Sequence, residues 1–414
     1  MSNDKPSPTT GEIASPALQR RLTLPLLILY GLGVTVGAGI YVLVGLTAAE
    51  AGLFAPISFL LAALIIAFTG ISYAELSTRF PVSAGEAAYV KAGLKIPSLA
   101  LIVGLLVAAS GMVSSATISI GAAAYMEQLV PVSPLLLTIL IILFLGLAAI
   151  WGILESVSVA AVLTIVELVG LGLVIFYGFK LKPNLLVDIG RLVPPLEASA
   201  CAGISSAGLL AFFAFIGFED LANVAEEAKN PRRDMPRAII WTIIIATAVY
   251  LAVVSVVVLS VPIEKLSVSA SPLNLVFEGT GGNMKGVFTI IAGLATLNGV
   301  LIQMIMSSRV LYGLSKQGQL PKRLAYIHPK THTPIIATFL VVTIILILAV
   351  FLPIARLAQI TSQITLTVFC FVNLALAAIK LSGKTPGVPY FRVPIGIPIM
   401  GFITCLLLII SGFL

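Results

Sequence analysis

Apolar positions in this chain do not alternate with polar ones or recur on one helical face; they run on without a break. Uncharged stretches extend over 22–49, 51–74, 96–126, 128–154, 198–218, 238–263, 286–308, 331–355, 357–379 and 393–414, and an eleventh, 156–179, is broken only by Glu167. A hydrocarbon core about 30 Å thick needs roughly 20 apolar residues of helix, so each run is long enough to cross. Strands of a membrane barrel would alternate every second residue over about ten residues. In lipid the backbone must find its partners inside the segment, which long continuous runs do as helices. The pattern predicts an all-α membrane protein of about 11 transmembrane helices.

Composition agrees: 59% of the 414 residues are hydrophobic and 10% charged, with a mean hydropathy of +1.12. Residues 1–21, polar and rich in Pro, Ser and Thr, are expected to form a disordered tail ahead of an uncleaved first span, because the first apolar run is too long for a signal peptide. Cys201, Cys370 and Cys405 have no metal or disulfide-framework spacing and read as small packing residues. His328 and His332 have the i,i+4 spacing of a helical metal pair, but Pro329 and Pro334 argue against the helix. No metal or cofactor is expected.

The net charge of +7 raises the question of nucleic acid. The placement of the charge answers it. With the N-terminus cytoplasmic, 18 of the 24 lysines and arginines fall on inner segments and 6 on outer ones. Such an asymmetry orients a multi-pass protein in a plasma or inner membrane, N-terminus inside and C-terminus outside. The lipid bilayer, not nucleic acid, is the expected large partner.

Three spans depart from plain apolar sequence. Span 6 carries Gly217 followed by Glu219 and Asp220 in GISSAGLLAFFAFIGFEDLANVAEE, 203–227. An Asp at a helix centre costs about 2.5–3.5 kcal/mol by insertion scales, so such groups face a protein interior or an aqueous cavity. Span 1 contains GLGVTVGAGI, 31–40, where Gly37, Ala38 and Gly39 leave three consecutive amides without bulk over them. That suits an unwound turn, although close helix packing is the plainer use of membrane glycine. Span 5 has Glu167 near mid-membrane. A lone carboxylate there points to carrying a proton or balancing a cation, against the alternative of a neutral Glu bonded to a neighbouring helix. Elsewhere structural readings prevail. Glu75 and Arg79 at i,i+4 read as an ion pair, the small residues of span 3 (Ser110, Gly111, Ser114, Ser115, Gly121) as a packing stripe, and Glu86–Leu94 as an amphipathic segment on the inner surface.

Spans 1 and 6 are the first helices of two groups of five. Five is odd, so the two groups cross the membrane in opposite directions, and broken helices at corresponding places in inverted halves point to a transporter's midplane site. The expected organisation is a tail (1–21), a first repeat (22–180), an outer loop (181–200), a second repeat (201–380), and a loop with a last span (381–414). Positive half-helix ends suit a carboxylate and unwound carbonyls suit an ammonium, the two charges of an amino acid.

The stretches VGAGIYVLVG (36–45), YAELSTRFPVSAGE (73–86), FFAFIGFEDLANVAEEAKNPRRDMPRAI (212–239), SRVLYGLSKQGQLP (308–321) and FRVP (391–394) resemble the amino acid–polyamine–organocation transporters over nearly the whole chain, and most of all the cationic amino acid transporter branch with its prokaryotic relatives. The resemblance implies that amides of Gly37, Ala38 and Gly39 hold the substrate carboxylate, that carbonyls of Val36 (or Thr35), Phe213, Ala214 and Ile216 hold its amine, and that Phe213 gates the occupied site. It also implies a proton- or pH-linked role for Glu219.

Two departures stand out. Glu167 lies where sodium-independent relatives carry a lysine, which leaves the coupling ion open between proton and sodium. Ala109 lies where cationic-substrate members carry an acid, which favours neutral amino acids. The expectation is uptake of a neutral amino acid by alternating access, coupled to protons through Glu167 or Glu219; sodium coupling or exchange, with cationic or other amine substrates, is the alternative. An enzyme is not expected, since no nucleophile with a base or metal lies at membrane depth. Relatives with twelve spans dimerise through a last helix that is not expected here, so a monomer or weak homodimer is anticipated.

Overall fold

The computed structural model describes residues 22–37, 39–81, 85–151, 157–195, 197–278, 283–383, 387 and 389–412; the tail 1–21 and Ala38 lie outside them. The chain folds into α1 (Leu24–Val36), α2 (Gly39–Ala51), α3 (Ala55–Arg79), α4 (Gly85–Leu94), α5 (Pro97–Met126), α6 (Pro134–Trp151), α7 (Val157–Leu181), α8 (Ala198–Phe213), α9 (Pro231–Ser260), α10 (Ile263–Val268), α11 (Met284–Lys316), α12 (Ile335–Phe351), α13 (Ile354–Leu381) and α14 (Gly396–Ser411), with short 3₁₀ turns between them. Among the described residues there is no strand; one parallel bridge joins Leu22 to Ala228. Among the described residues, eight helical stretches are long and apolar enough to cross a membrane, and α1, α12 and α14 are shorter apolar helices.

The helix limits follow from local chemistry. Proline opens α1, α3, α5 and α9 within the first two positions, where its missing N–H has no helical partner to lose. Helix α3 stops at Arg79, ahead of Pro81, and the chain restarts at Gly85 as α4. Helix α4 does more than lie on a surface: it packs against α5 and α13, and its Glu86 is buried.

Many large apolar side chains point outward, which suits contact with lipid. Phe144, Leu147, Phe339 and Phe351 are all strongly exposed, whereas the polar residues Thr69, Glu75, Thr296, Thr361 and Asn373 are fully buried. The most extensive helix contacts are α5 with α11 and α3 with α9. Helix α1 packs on α9 and α7, and α8 packs on α3 and α13. Buried rings knit these helices from inside: Tyr73 meets Phe218 and Phe369 edge-on, and Phe215 meets Tyr250 with centroids 4.8 Å apart.

Candidate functional site

Both glycine-bearing spans are interrupted, and differently. In span 1, α1 ends at Val36 and α2 begins at Gly39; between them Gly37 keeps helical dihedrals (φ −55°, ψ −52°), and Ala38 lies outside the described residues. The described part of that break thus keeps a helical backbone at Gly37. Span 6 truly unwinds. Helix α8 ends at Phe213, a turn covers 214–217, and the chain continues as a 3₁₀ helix over Phe218–Glu227. Gly217 sets the direction change with φ +125°, a conformation side chains rarely adopt; a Cβ there would also lie 2.8 Å from the Val34 carbonyl oxygen. The freed Gly217 N–H donates to the Glu219 carboxylate at 2.9 Å.

The two interruptions lie against each other. The open side of Gly39 rests on the Cα of Ala214, and Gly217 rests on Val34. Tyr250, fully buried on α9, places its hydroxyl 2.7 Å from the Thr35 carbonyl and 2.7 Å from the Ala214 carbonyl. A phenol has one proton to donate, so one hydroxyl serves a carbonyl from each broken span. Glu167 approaches from α7. A Cβ on Gly37 would be 3.5 Å from both of its carboxylate oxygens. Its Oε1 accepts from Asn298 Nδ2 at 3.2 Å, and its Oε2 is buried without a hydrogen-bond partner. The Tyr41 hydroxyl holds the Glu167 backbone carbonyl at 2.7 Å, and Tyr125 in turn holds the Tyr41 carbonyl at 2.7 Å, so the segment bearing the carboxylate is fixed from α2 and α5.

A cavity of about 30 Å³ opens beside Ile216. Its walls carry the carboxylates of Glu86, Glu219 and Asp220, with Gln303, Ser110 and Thr365 among the polar groups. Gln303 donates to Asp220 at 3.3 Å and Tyr73 donates to Glu86 at 3.3 Å. Ser110 and Thr365 are 2.6 Å apart. Ser110 and Gly111 of the small-residue stripe thus line the cavity as well as packing helices.

Of the residues singled out in the sequence, Thr35, Gly37, Gly39, Ala214 and Glu167 converge on the meeting of the two breaks, with Val36 buried alongside. Ile216 and Glu219 face the cavity, while Phe213 is buried at the end of α8 and is not among its lining residues. Tyr250, Asn298, Glu86 and Gln303 were not singled out as site residues. A polar side chain within an apolar run was the available signal for Tyr250, Asn298 and Gln303; which carboxylate or carbonyl each would meet was not legible. Among the described residues no group of three or more His, Cys, Asp or Glu side chains is arranged to hold a metal ion.

Residues 22–414 match the family profile described as amino acid permease. The chain is 30% identical to the branched-chain amino acid permease BcaP of Bacillus subtilis over 97% of its own length and 90% of that protein. It is 30% identical to cationic amino acid transporter 9, chloroplastic, of Arabidopsis thaliana over 76% of its length and 58% of that protein. It is 28% identical to the methylthioribose transporter of Bacillus subtilis over 94% and 87%. A family match over nearly the whole chain, on a helical membrane protein with two interrupted spans in contact, leads to one assignment: this protein belongs to the amino acid permease family of amino acid transporters.

Proposed function

We propose that the protein takes up neutral amino acids by alternating access, driven by protons. The observation that carries this reading is Glu167, whose carboxylate lies beside the break in span 1 with one buried oxygen unpartnered. A carboxylate in that position is a natural proton carrier, because its charge state changes the cost of separating α1 from α7. The amides near Gly37 and Gly39 and the carbonyls of Thr35, Val36, Phe213, Ala214 and Ile216 would take the two ends of a zwitterion once the spans part. Glu219, now holding the Gly217 amide, is the second candidate for coupling. Relatives named as branched-chain amino acid permeases support an apolar side chain on the substrate.

The pairing of α3 with α9 and α5 with α11, and of α1 and α8 with corresponding partners, supports two inverted halves, 22–180 and 201–380. The basic inner loops support a cytoplasmic N-terminus.

A second reading has its own support. Three carboxylates line the cavity beside Ile216, which suits a substrate with a basic side chain, and several relatives are named cationic amino acid transporters. Uptake into proteoliposomes under an imposed pH gradient, with leucine and arginine as competing substrates, separates the two. Leucine accumulation that needs the gradient and is lost in Glu167→Gln is expected. Accumulation indifferent to the gradient, full accumulation by the variant, or a requirement for sodium or for amino acid inside the vesicle would count against proton coupling; preference for arginine would favour the second reading.

A further inference from the structure

At the end of the bundle where α3 and α13 terminate, the segment leading into α14 closes over a charged cluster that the transport reading does not use. The Glu75 carboxylate is fully buried. Arg79 reaches it at 2.7 Å, Lys380 Nζ at 2.6 Å, and the Val393 amide at 2.8 Å. Lys380 also donates to the Val393 carbonyl at 2.6 Å. The Arg79 guanidinium lies 4.3 Å from the Tyr390 ring centroid and donates to its hydroxyl at 3.1 Å.

Beside this cluster is a recess of about 550 Å³ lined by Arg79, Lys380, Tyr390, Arg392 and Ile395. Three cations line it, and two of them, Arg79 and Lys380, share the Glu75 carboxylate. Arg79 and Lys380 sit in the last turns of their helices and partly answer the helix dipoles. Arg392 does not: it lies on no helix, is exposed, and has no ion pair among the described residues. The recess therefore holds surplus positive charge.

One side of the recess continues onto an apolar surface. Ile395, Ile399, Ile403 and Leu407 recur every fourth residue along the start and body of α14, and all four are exposed. Residues four apart stack on one helical face. A cationic recess that opens onto such a stripe matches a molecule with an anionic head and a hydrocarbon tail, since basic pockets at the ends of transmembrane helices attract anionic headgroups.

We propose that this recess is a site for an anionic phospholipid, with the headgroup phosphate beside Arg392 and an acyl chain along the α14 stripe. A free phosphate would share the head chemistry but not the stripe. The test uses the full chain purified in detergent, titrated with phosphatidylglycerol, phosphatidylcholine or inorganic phosphate, with bound lipid counted by native mass spectrometry and heat stability followed in parallel. Phosphatidylglycerol should be retained over phosphatidylcholine and should raise the unfolding temperature, while inorganic phosphate should not. Arg392→Gln should weaken phosphatidylglycerol retention about fivefold, the worth of one basic charge near an anionic surface; Arg392→Lys should keep most of it. Equal retention of the two lipids, unchanged retention in Arg392→Gln, equal loss in Arg392→Lys, or equal protection by inorganic phosphate would each overturn the proposal.

Discussion

Tyr250 lies in an apolar stretch of α9, yet its hydroxyl touches a carbonyl from each of the two broken spans. With a single proton shared between two acceptors, it holds the spans together while leaving each carbonyl able to accept another donor. Tyr250→Phe keeps the ring packed on Phe59 and Phe215 and removes only the hydroxyl. Leaving buried carbonyls short of a donor costs about 1–3 kcal/mol, so the variant should melt at a lower temperature than the parent. If the same carbonyls receive the substrate amine, its KM for uptake should change more than its maximal rate. An unchanged melting temperature together with unchanged KM would remove Tyr250 from the site.

The residue scale also shows what a lone sequence conceals. Glu167 and Gly37 are each visible as exceptions in apolar runs, but 130 positions separate them. That the carboxylate lies against that glycine, and that Asn298 rather than a cation answers it, depends on how α7 and α11 pack around α1.

Among elements, the ion cluster at Glu75 joins α3, α13 and the strand-free segment before α14. The i,i+4 spacing of Glu75 and Arg79 predicted half of it. Lys380 and the Val393 amide come from more than 300 residues away in the chain. Because the carboxylate is fully buried, its loss leaves two cations with too few partners. Removing one member of a buried ion pair costs about 3–5 kcal/mol, and Glu75→Gln should lower stability on that scale, measured as the shift in thermal unfolding. Pairing it with Lys380→Met should recover part of the loss; a double variant as unstable as the sum of the two single variants would mean the charges do not interact. The helices themselves were the most legible feature. Their proline starts and the stop at Arg79 are local effects, set by the absent N–H of proline and the breaking power of Pro81.

Across the whole molecule, the entrance to α1 is tied to the exit of span 6. The Leu22 amide donates to the Glu227 carbonyl at 3.0 Å, and the Lys229 amide donates to the Leu22 carbonyl at 2.9 Å. These are the ends of the two interrupted spans, so the bridge ties one span to the other. Leu22→Pro deletes one of the two donors. A backbone hydrogen bond contributes about 1 kcal/mol, and amide exchange at Lys229 should accelerate about fivefold if the second bond fails with the first. Exchange at the parent rate would show the bridge to be incidental to that end of the molecule.

The sequence by itself determined that the chain is helical and lies in lipid, because continuous apolar runs satisfy the backbone in a bilayer in no other way. It also marked where two of those helices are interrupted, by consecutive small residues in span 1 and by glycine beside carboxylates in span 6, which are costly in an ordinary span. Only the tertiary structure decided what fills the space at those failures. It seated Gly39 on Ala214, brought Tyr250 to both carbonyls and drew Glu86 into the cavity with Glu219 and Asp220. Those contacts join residues from helices far apart in sequence, and their geometry follows from rotations and depths of packing that apolar runs of uniform character do not encode.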